Sequence, residues 1–262
     1  MSTLIAKNLC VYIDEVCLLN NISVKVEQGE LLSIIGPNGA GKTTLINALM
    51  GNINKAYRVE GKVFFCGCDI RQLPLAKKAK QITCLPQLNL LNFPFSVEEV
   101  VTLSRIPHSS GRRADAAIID EALKALDVFH LKSRLYTHLS GGEKQRVQLA
   151  RVMAQIWHEE QNGKRLLFLD EPTTSLDLGH QQQLMKIIRN FAKAGVAIVM
   201  IVHDINIALK YSDTLLGLVD SKLVASGSPE KIVTKQLMKT LYNLDVEITR
   251  HPRSSKPMII TV

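Results

Sequence analysis

The stretch ELLSIIGPNGAGKTTLINALMG, Glu30 to Gly51, decides the fold. Its centre has the spacing G-x-x-x-x-G-K-[ST], from Gly36 through Pro37, Asn38, Gly39, Ala40, Gly41 and Lys42 to Thr43. Three glycines let the backbone curl so tightly that successive N–H groups turn inward, and a helix N-terminus behind them completes an anion cradle. Lys42 adds a point charge that reaches β- and γ-phosphates, and the Thr43 hydroxyl is placed to coordinate Mg²⁺. The flanks agree. LLSII is an apolar, β-branched run of buried-strand length, and TTLINALMG, opening at Thr43 and Thr44, has helical spacing and a glycine stop. The region therefore reads as strand, phosphate loop and helix, the start of an α/β domain.

A second buried run, LLFLDE from Leu166 to Glu171, ends in two carboxylates. An acid at the end of such a strand faces the phosphate cradle, which assigns Asp170 to the Mg²⁺ shell. Glu171 projects differently and is the candidate base, orienting a water on the γ-phosphate. His203 follows a third apolar run, IVMIV; it is either a structural strand-end histidine or a sensor of the γ-phosphate. Gln87, after Leu85-Pro86, sits at a non-helical hinge where its amide can touch Mg²⁺ and the attacking water. LSGGE, from Leu139 to Glu143, opens a helix, so the Ser140 hydroxyl, the Gly141 and Gly142 N–H groups and the helix dipole form a second anion site. One chain with one phosphate cradle has no use for another of that quality. The economical explanation is that it completes the site of a neighbouring subunit.

GPNGAGKTT, Gln87, LSGGE, LLFLDEP, SLD at Ser175 to Asp177, and His203 stand in the order and spacing of the ATP-binding cassette ATPases, which the chain resembles over essentially its whole length. The resemblance implies an α/β, RecA-like P-loop NTPase core with a parallel sheet, an antiparallel β subdomain and an inserted α-helical subdomain. One nucleotide-binding domain would cover 1–262. Its parts would be the β subdomain in 1–30 and 57–70, the core in 31–56 and 159–227, the helical subdomain in 88–158 and a C-terminal extension in 228–262. The family further implies a head-to-tail dimer with two ATP at its interface, Mg²⁺ as cofactor, and Ser140 and Gly142 acting in trans. Asp177 would belong to a loop communicating between the two sites. Tyr12 falls where the family has an aromatic residue stacking on adenine, beside its plain reading as a strand aromatic. The family's glutamine after SGG is Glu143 here.

FPFSVEEVVTLSRIPH, DLGHQQQLM and the ending YNLDVEITRHPRSSKPMIITV resemble ATPase subunits of bacterial importers for iron siderophores, haem and vitamin B12. The long connection in QLARVMAQIWHEEQNGKRLLFLDEP is most similar to the haemin-importer subunits, with ferric siderophore second and cobalamin third. That resemblance implies integral-membrane permease partners, an indirect partnership with a periplasmic or surface substrate-binding protein, and a peripheral place on the cytoplasmic face of the bacterial inner membrane.

Composition adds bounds. At 262 residues the chain is near the upper end for one domain and can bury a full core. Neither end has the pattern of a targeting segment and no apolar run reaches 18 residues, so the chain is expected not to span a membrane. The net charge of +8 is spread out, with small clusters at KKAK (Lys77 to Lys80) and GRR and no interleaved aromatics, so no nucleic-acid partner is expected. Five cysteines suit a reducing compartment; Cys66 and Cys68 lie on an alternating segment and read as ordinary strand residues. Further elements follow from periodicity. The first 30 residues alternate as antiparallel strands, Ile118, Ile119, Ala122, Leu123 and Leu126 share one helix face, and Val147, Ala150, Ala154 and Trp157 share another. A helix is expected through Gln181 to Ala194.

Overall fold

The computed structural model describes residues 2–54, 56–87, 93–158, 163–252 and 255–261. Along the chain come β1 (Ser2–Ile13), β2 (Val16–Glu27), β3 (Leu31–Ile35), α1 (Lys42–Leu49), β4 (Tyr57–Phe65), β5 (Cys68–Asp69), α2 (Leu75–Gln81), β6 (Ile82–Leu85), α3 (Val97–Thr102), α4 (Arg112–Ala125) and α5 (Gly141–Gln155). Then follow β7 (Arg165–Asp170), α6 (Leu178–Lys193), β8 (Val196–Ile201), α7 (Ile205–Tyr211), β9 (Thr214–Val219), β10 (Lys222–Gly227), α8 (Pro229–Ile232), α9 (Lys235–Tyr242), β11 (Val246–Arg250) and β12 (Pro257–Thr261). The elements divide into two compact units, Met1–Leu73 with Ala197–Val262, and Pro74–Val196.

The first unit carries two kinds of sheet. β1 and β2 are joined by the tight turn at Asp14, whose φ of 50° suits its short polar side chain, and β4 and β5 extend them in the antiparallel order β2-β1-β4-β5. In the other sheet β3 lies between β8 and β9, parallel to both, and β10 adds an antiparallel edge. Every residue of β3 and β8 is buried, as a strand covered on both faces must be, and full burial of each Leu or Ile contributes about 1.5–3 kcal/mol over exposure. The Ser33 and Ser212 hydroxyls, also buried, satisfy each other at 2.6 Å. Strands β11 and β12 form a separate antiparallel pair near the C-terminus.

The second unit is helical around one parallel pair, β6 with β7. α4 buries Ile118, Ile119, Ala122 and Leu123, the face its periodicity predicts. α3 and α5 both begin with capping boxes, Ser96 with Glu99 and Ser140 with Glu143, in which each partner satisfies the other's backbone N–H. Arg165, at the start of β7, is 7% exposed. Its guanidinium donates to the carbonyls of Ile156 (3.1 Å), Trp157 (2.7 Å) and Ala194 (2.6 Å), so a buried cation serves the C-terminal ends of α5 and α6.

Three sequence expectations change. Trp157 is not on the α5 face, because α5 ends at Gln155; its indole N–H instead donates to Glu121 at 2.7 Å and its ring lies against that of Phe191, tilted by 37°. Cys66 is not a strand residue, since it forms with Gly67 the turn between β4 and β5, both at positive φ, and Cys68 opens β5. α6 begins at Leu178, earlier than Gln181, because Asp177 caps it. Residues 159–162 of the long connection before β7, and residues 253, 254 and 262 of the C-terminal segment, lie outside the described residues.

Candidate functional site

The phosphate loop leaves the end of β3 and runs into α1. Gly36, Gly39 and Gly41 have φ of 147°, 80° and 95°, values that L side chains adopt at a cost. Space matters as much at two of them. A Cβ on Gly36 would lie 2.1 Å from the Leu218 carbonyl oxygen, and one on Gly41 2.7 Å from that of Leu18. The loop is thus pressed between β9 and β2, and only glycine allows that approach. Lys42 is buried and donates from Nζ to the carbonyls of Gly36 (2.9 Å) and Pro37 (2.8 Å), so its cation is held against the loop it serves. Thr43 is exposed at the first turn of α1 and Thr44 is half-buried beside it. The Gly36 N–H donates to the Tyr242 hydroxyl at 3.1 Å. Burial pushes that phenol's pKa up, against the opposing pull of the Gly36 N–H.

His203 and Tyr12 belong to the same unit. Ile34 pairs with Ile201 in the β3–β8 ladder and the Val202 N–H donates to the Ile34 carbonyl, so His203 stands at the level of Gly36, exposed, at the strand ends from which the loop emerges. Asp204 beside it caps α7 by accepting from the Asn206 N–H at 2.8 Å and the Ile207 N–H at 3.3 Å. Tyr12 lies on β1 directly between Cys17 of β2 and Arg58 of β4. The Arg58 guanidinium covers its ring at 4.4 Å, so the ring already takes a flat cationic group on its face. Cys17 adjoins Leu18, whose carbonyl touches Gly41. Tyr12 is therefore one strand residue removed from the contact between β2 and the phosphate loop.

The second unit holds the carboxylates. Leu85 pairs with Leu169, so Gln87 and Glu171 each stand two residues past the same rung of the β6–β7 ladder. Asp170, 2% exposed, closes β7. With burial, its charge pushes the Cys84 thiol up to about 12. Glu171 is held at a φ of 52°, a left-handed conformation for a long side chain with no turn-forming chemistry of its own. Thr174 secures this conformation, its hydroxyl donating to the Glu171 carbonyl at 3.1 Å and to Oε2 at 3.3 Å. Functional sites can store backbone strain of this kind.

α5 meets the segment that follows Glu171. Gly142 lies against Ser175 and Leu176, where a Cβ would come 3.4 Å from the Ser175 carbonyl oxygen, and Gln145 donates to the Pro172 carbonyl at 3.3 Å. From the other side Gln181 donates to the carbonyls of Thr173 (3.2 Å) and Leu176 (2.9 Å). Asp177 then caps α6, accepting from the His180 N–H and meeting His180 Nδ1, contacts that hold its carboxyl below the usual range. At the start of α5, the Ser140 Oγ accepts from the Glu143 N–H at 3.3 Å and Glu143 Oε2 accepts from the Ser140 N–H at 2.7 Å. Those contacts keep the Glu143 carboxyl depressed as well. Gly141 is exposed, with nothing within 4 Å of where its Cβ would lie, so this helix end faces outward.

The first unit thus gathers Tyr12, Gly36 to Thr44 and His203. The second gathers Gln87, Asp170 and Glu171, and separately joins Ser140 to Gly142 with the segment ending at Asp177. Sequence reading missed Tyr242, Gln145, Gln181 and Arg165, whose hydrogen bonds hold these groups; their residue types at those positions carry no motif. Among the described residues no three His, Cys, Asp or Glu side chains are grouped to hold a metal by themselves, and no helix is long and apolar enough to cross a membrane.

Comparison with known proteins is consistent with this geometry. The profile of the family described as ABC transporter matches residues 19–174. The chain is 42% identical over 244 residues to the hemin import ATP-binding protein HmuV of Pseudomonas entomophila, covering 93% of this chain and 94% of that one. It is 44% identical over 245 residues to HmuV of Gloeobacter violaceus, covering 93% and 88%. Among solved structures, an inward-facing metal-chelate type ABC transporter superposes with a TM-score of 0.81 at 24% identity, over 100% of this chain and 98% of that one, which shows the fold.

Proposed function

Because the chain belongs to the ABC transporter family, we propose that it is the ATP-hydrolysing subunit of a haemin importer. The observation that carries this reading is the pair of anion-binding ends on one chain, the phosphate loop of Gly36 to Thr43 and the outward-facing start of α5 at Ser140 to Gly142. One chain with one phosphate loop has no use of its own for a second anion-binding end, so we read the two as serving one nucleotide from different copies, in a head-to-tail dimer with two ATP.

The roles follow from the residues. On arrival of ATP, Lys42 exchanges the carbonyls of Gly36 and Pro37 for the β- and γ-phosphates, and the loop N–H groups donate to the remaining phosphate oxygens. Tyr12 stacks on adenine. The hydroxyl of Thr43, the carboxylate of Asp170 and the amide oxygen of Gln87 are hard oxygen donors of the kind Mg²⁺ selects. Bound there, Mg²⁺ would neutralise charge on the β- and γ-phosphate oxygens. Glu171 takes a proton from the attacking water, His203 hydrogen-bonds the γ-phosphate, and Ser140 and Gly142 of the other copy close the far side. Asp177, fixed between α5 and α6, links the state of one site to the other through the segment that Gln145 and Gln181 grip. The dimer sits on the cytoplasmic face of the membrane against permease subunits, with a substrate-binding protein on the far side.

Haemin as cargo is supported by the HmuV relatives; ferric siderophore and cobalamin are the alternatives. ATPase stimulation of the reconstituted transporter by each cargo on its binding protein separates the three. The mechanism is tested by Glu171→Gln, which should accumulate an ATP-bound dimer in size-exclusion chromatography with light scattering and hydrolyse at least about 100-fold more slowly. Turnover at the wild-type rate would remove Glu171 from the role of base.

A further inference from the structure

Two thiols that the hydrolytic cycle does not use lie beside Tyr12. Cys17 is its cross-strand partner, and Cys10 stands two residues earlier on the same strand. Both are half-buried, reachable from solvent yet held in place. The Cys10 sulfur accepts from the Asn21 N–H at 3.2 Å and Cys17 Sγ–H donates to the Leu19 carbonyl at 3.3 Å. Cys10 also hydrogen-bonds the Tyr12 hydroxyl, and this bond, with lesser contributions from burial, Glu60 and Cys17, raises the phenol's pKa. Cys17 is next to Leu18, whose carbonyl packs against Gly41 of the phosphate loop. A group attached to Cys17 therefore stands beside both the aromatic platform and the strand residue that touches the cradle, and one attached to Cys10 meets the platform at its hydroxyl.

We propose that Cys10 and Cys17 form a thiol-modification site at the base-stacking platform, where a small disulfide such as glutathione disulfide attaches a group that displaces the nucleotide. The inference rests on the reading of Tyr12 as the adenine platform. In the reaction the cysteine thiolate attacks one sulfur of glutathione disulfide, its S–S bond breaks, and a protein–glutathione disulfide forms. The protein sulfur is oxidised, the departing glutathione is reduced, and it takes up the proton the cysteine lost. Base stacking on one aromatic side chain is worth about a tenfold change in affinity or more, and the adduct removes that contact. The other cysteines supply controls. Cys66 and Cys68 are exposed at the β4–β5 turn and the start of β5, and Cys84 is half-buried on β6 beside β7 with its thiol pushed up to about 12, which keeps it unreactive.

The experiment treats a C66S/C68S chain with glutathione disulfide, locates adducts by peptide mass, and measures ADP affinity by calorimetry before and after. The expected result is an adduct on Cys10 or Cys17, an ADP affinity weakened about 10-fold or more and restored by dithiothreitol, and slower modification when ADP is bound first. The same treatment of C10S/C17S should leave that variant's own affinity unchanged. The proposal is overturned if neither thiol reacts, if the adduct forms without altering ADP affinity, or if C10S/C17S is equally sensitive. Y12A, measured without thiol reagent, reports on the platform reading separately, and unchanged affinity there overturns that reading whatever the thiols do.

Discussion

Replacing Glu171 by glycine should abolish hydrolysis and make the fold more stable. Glu171 has a φ of 52°, and a side chain bearing Cβ in the left-handed region costs about 1–2 kcal/mol. Glycine relieves that cost and returns about 0.5–1 kcal/mol through the greater freedom of the unfolded chain, leaving a net gain of about 0.5–1 kcal/mol. The Thr174 hydroxyl's contact with Oε2, at 3.3 Å on an exposed residue, is too long to reverse the sign. For a chain of this size the gain corresponds to about 1–4 °C in melting temperature. Glu171→Gln is the control, since it also removes the base but keeps the Cβ and the strained φ. Parallel thermal melts without nucleotide should place the glycine variant above the glutamine variant, with ATP turnover lost in both. If the glycine variant melts at or below the glutamine variant, the backbone there is not strained.

Arg165→Met should lower stability by about 3 kcal/mol, because three carbonyls at the ends of α5 and α6 lose a buried charged donor while the space stays filled; denaturant unfolding checks it. Glu143→Gln keeps the capping box but removes a negative charge where the other copy's γ-phosphate arrives. At about 6 Å and an intermediate dielectric that charge repels by about 1 kcal/mol at each of the two sites, so in a Glu171→Gln background ATP-driven dimerisation should tighten about 30-fold, as sedimentation would show. The folded Glu143 carboxyl lies below its ordinary range, so its contribution to stability is present at neutral pH and is lost as pH falls through the folded pKa. The glutamine variant should lack that acid-side loss in pH-dependent melts.

Much of this molecule was legible in its residues because local chemistry dictated it. GPNGAGKT needs a strand before it and a helix after it, and β3 and α1 are there. The alternation of the first 30 residues returned as the β1–β2 hairpin, and the apolar faces of α4 and α5 pack as their periodicity predicted. What failed was set by long-range contacts or by single-residue geometry. Trp157 matches helical spacing, yet α5 stops before it, its last carbonyls engaged by Arg165 from the start of β7. Cys66 alternates like a strand residue, but Gly67 permits a tight turn there. The positive φ of Glu171 has no signature at all, since glutamate gives no local reason for it. Gln145 and Gln181 were invisible for a related reason: an amide that binds a distant carbonyl looks like any polar residue on a helix.

The central claim is that each ATP site is built from two copies of the chain, and mixed dimers test it most directly. A Lys42→Ala copy loses its own phosphate loop, and a Gly142→Asp copy places a carboxylate at its outward-facing helix start; each variant alone should be inactive. In a mixed dimer both defects fall on one site and leave the other intact. An equal mixture, allowed to exchange subunits, should therefore recover about a quarter of wild-type ATPase activity, half the dimers being mixed with one working site in two. A mixture as inactive as its parents would contradict the account, because it would mean that the phosphate loop and the LSGGE helix serve the same nucleotide within one chain.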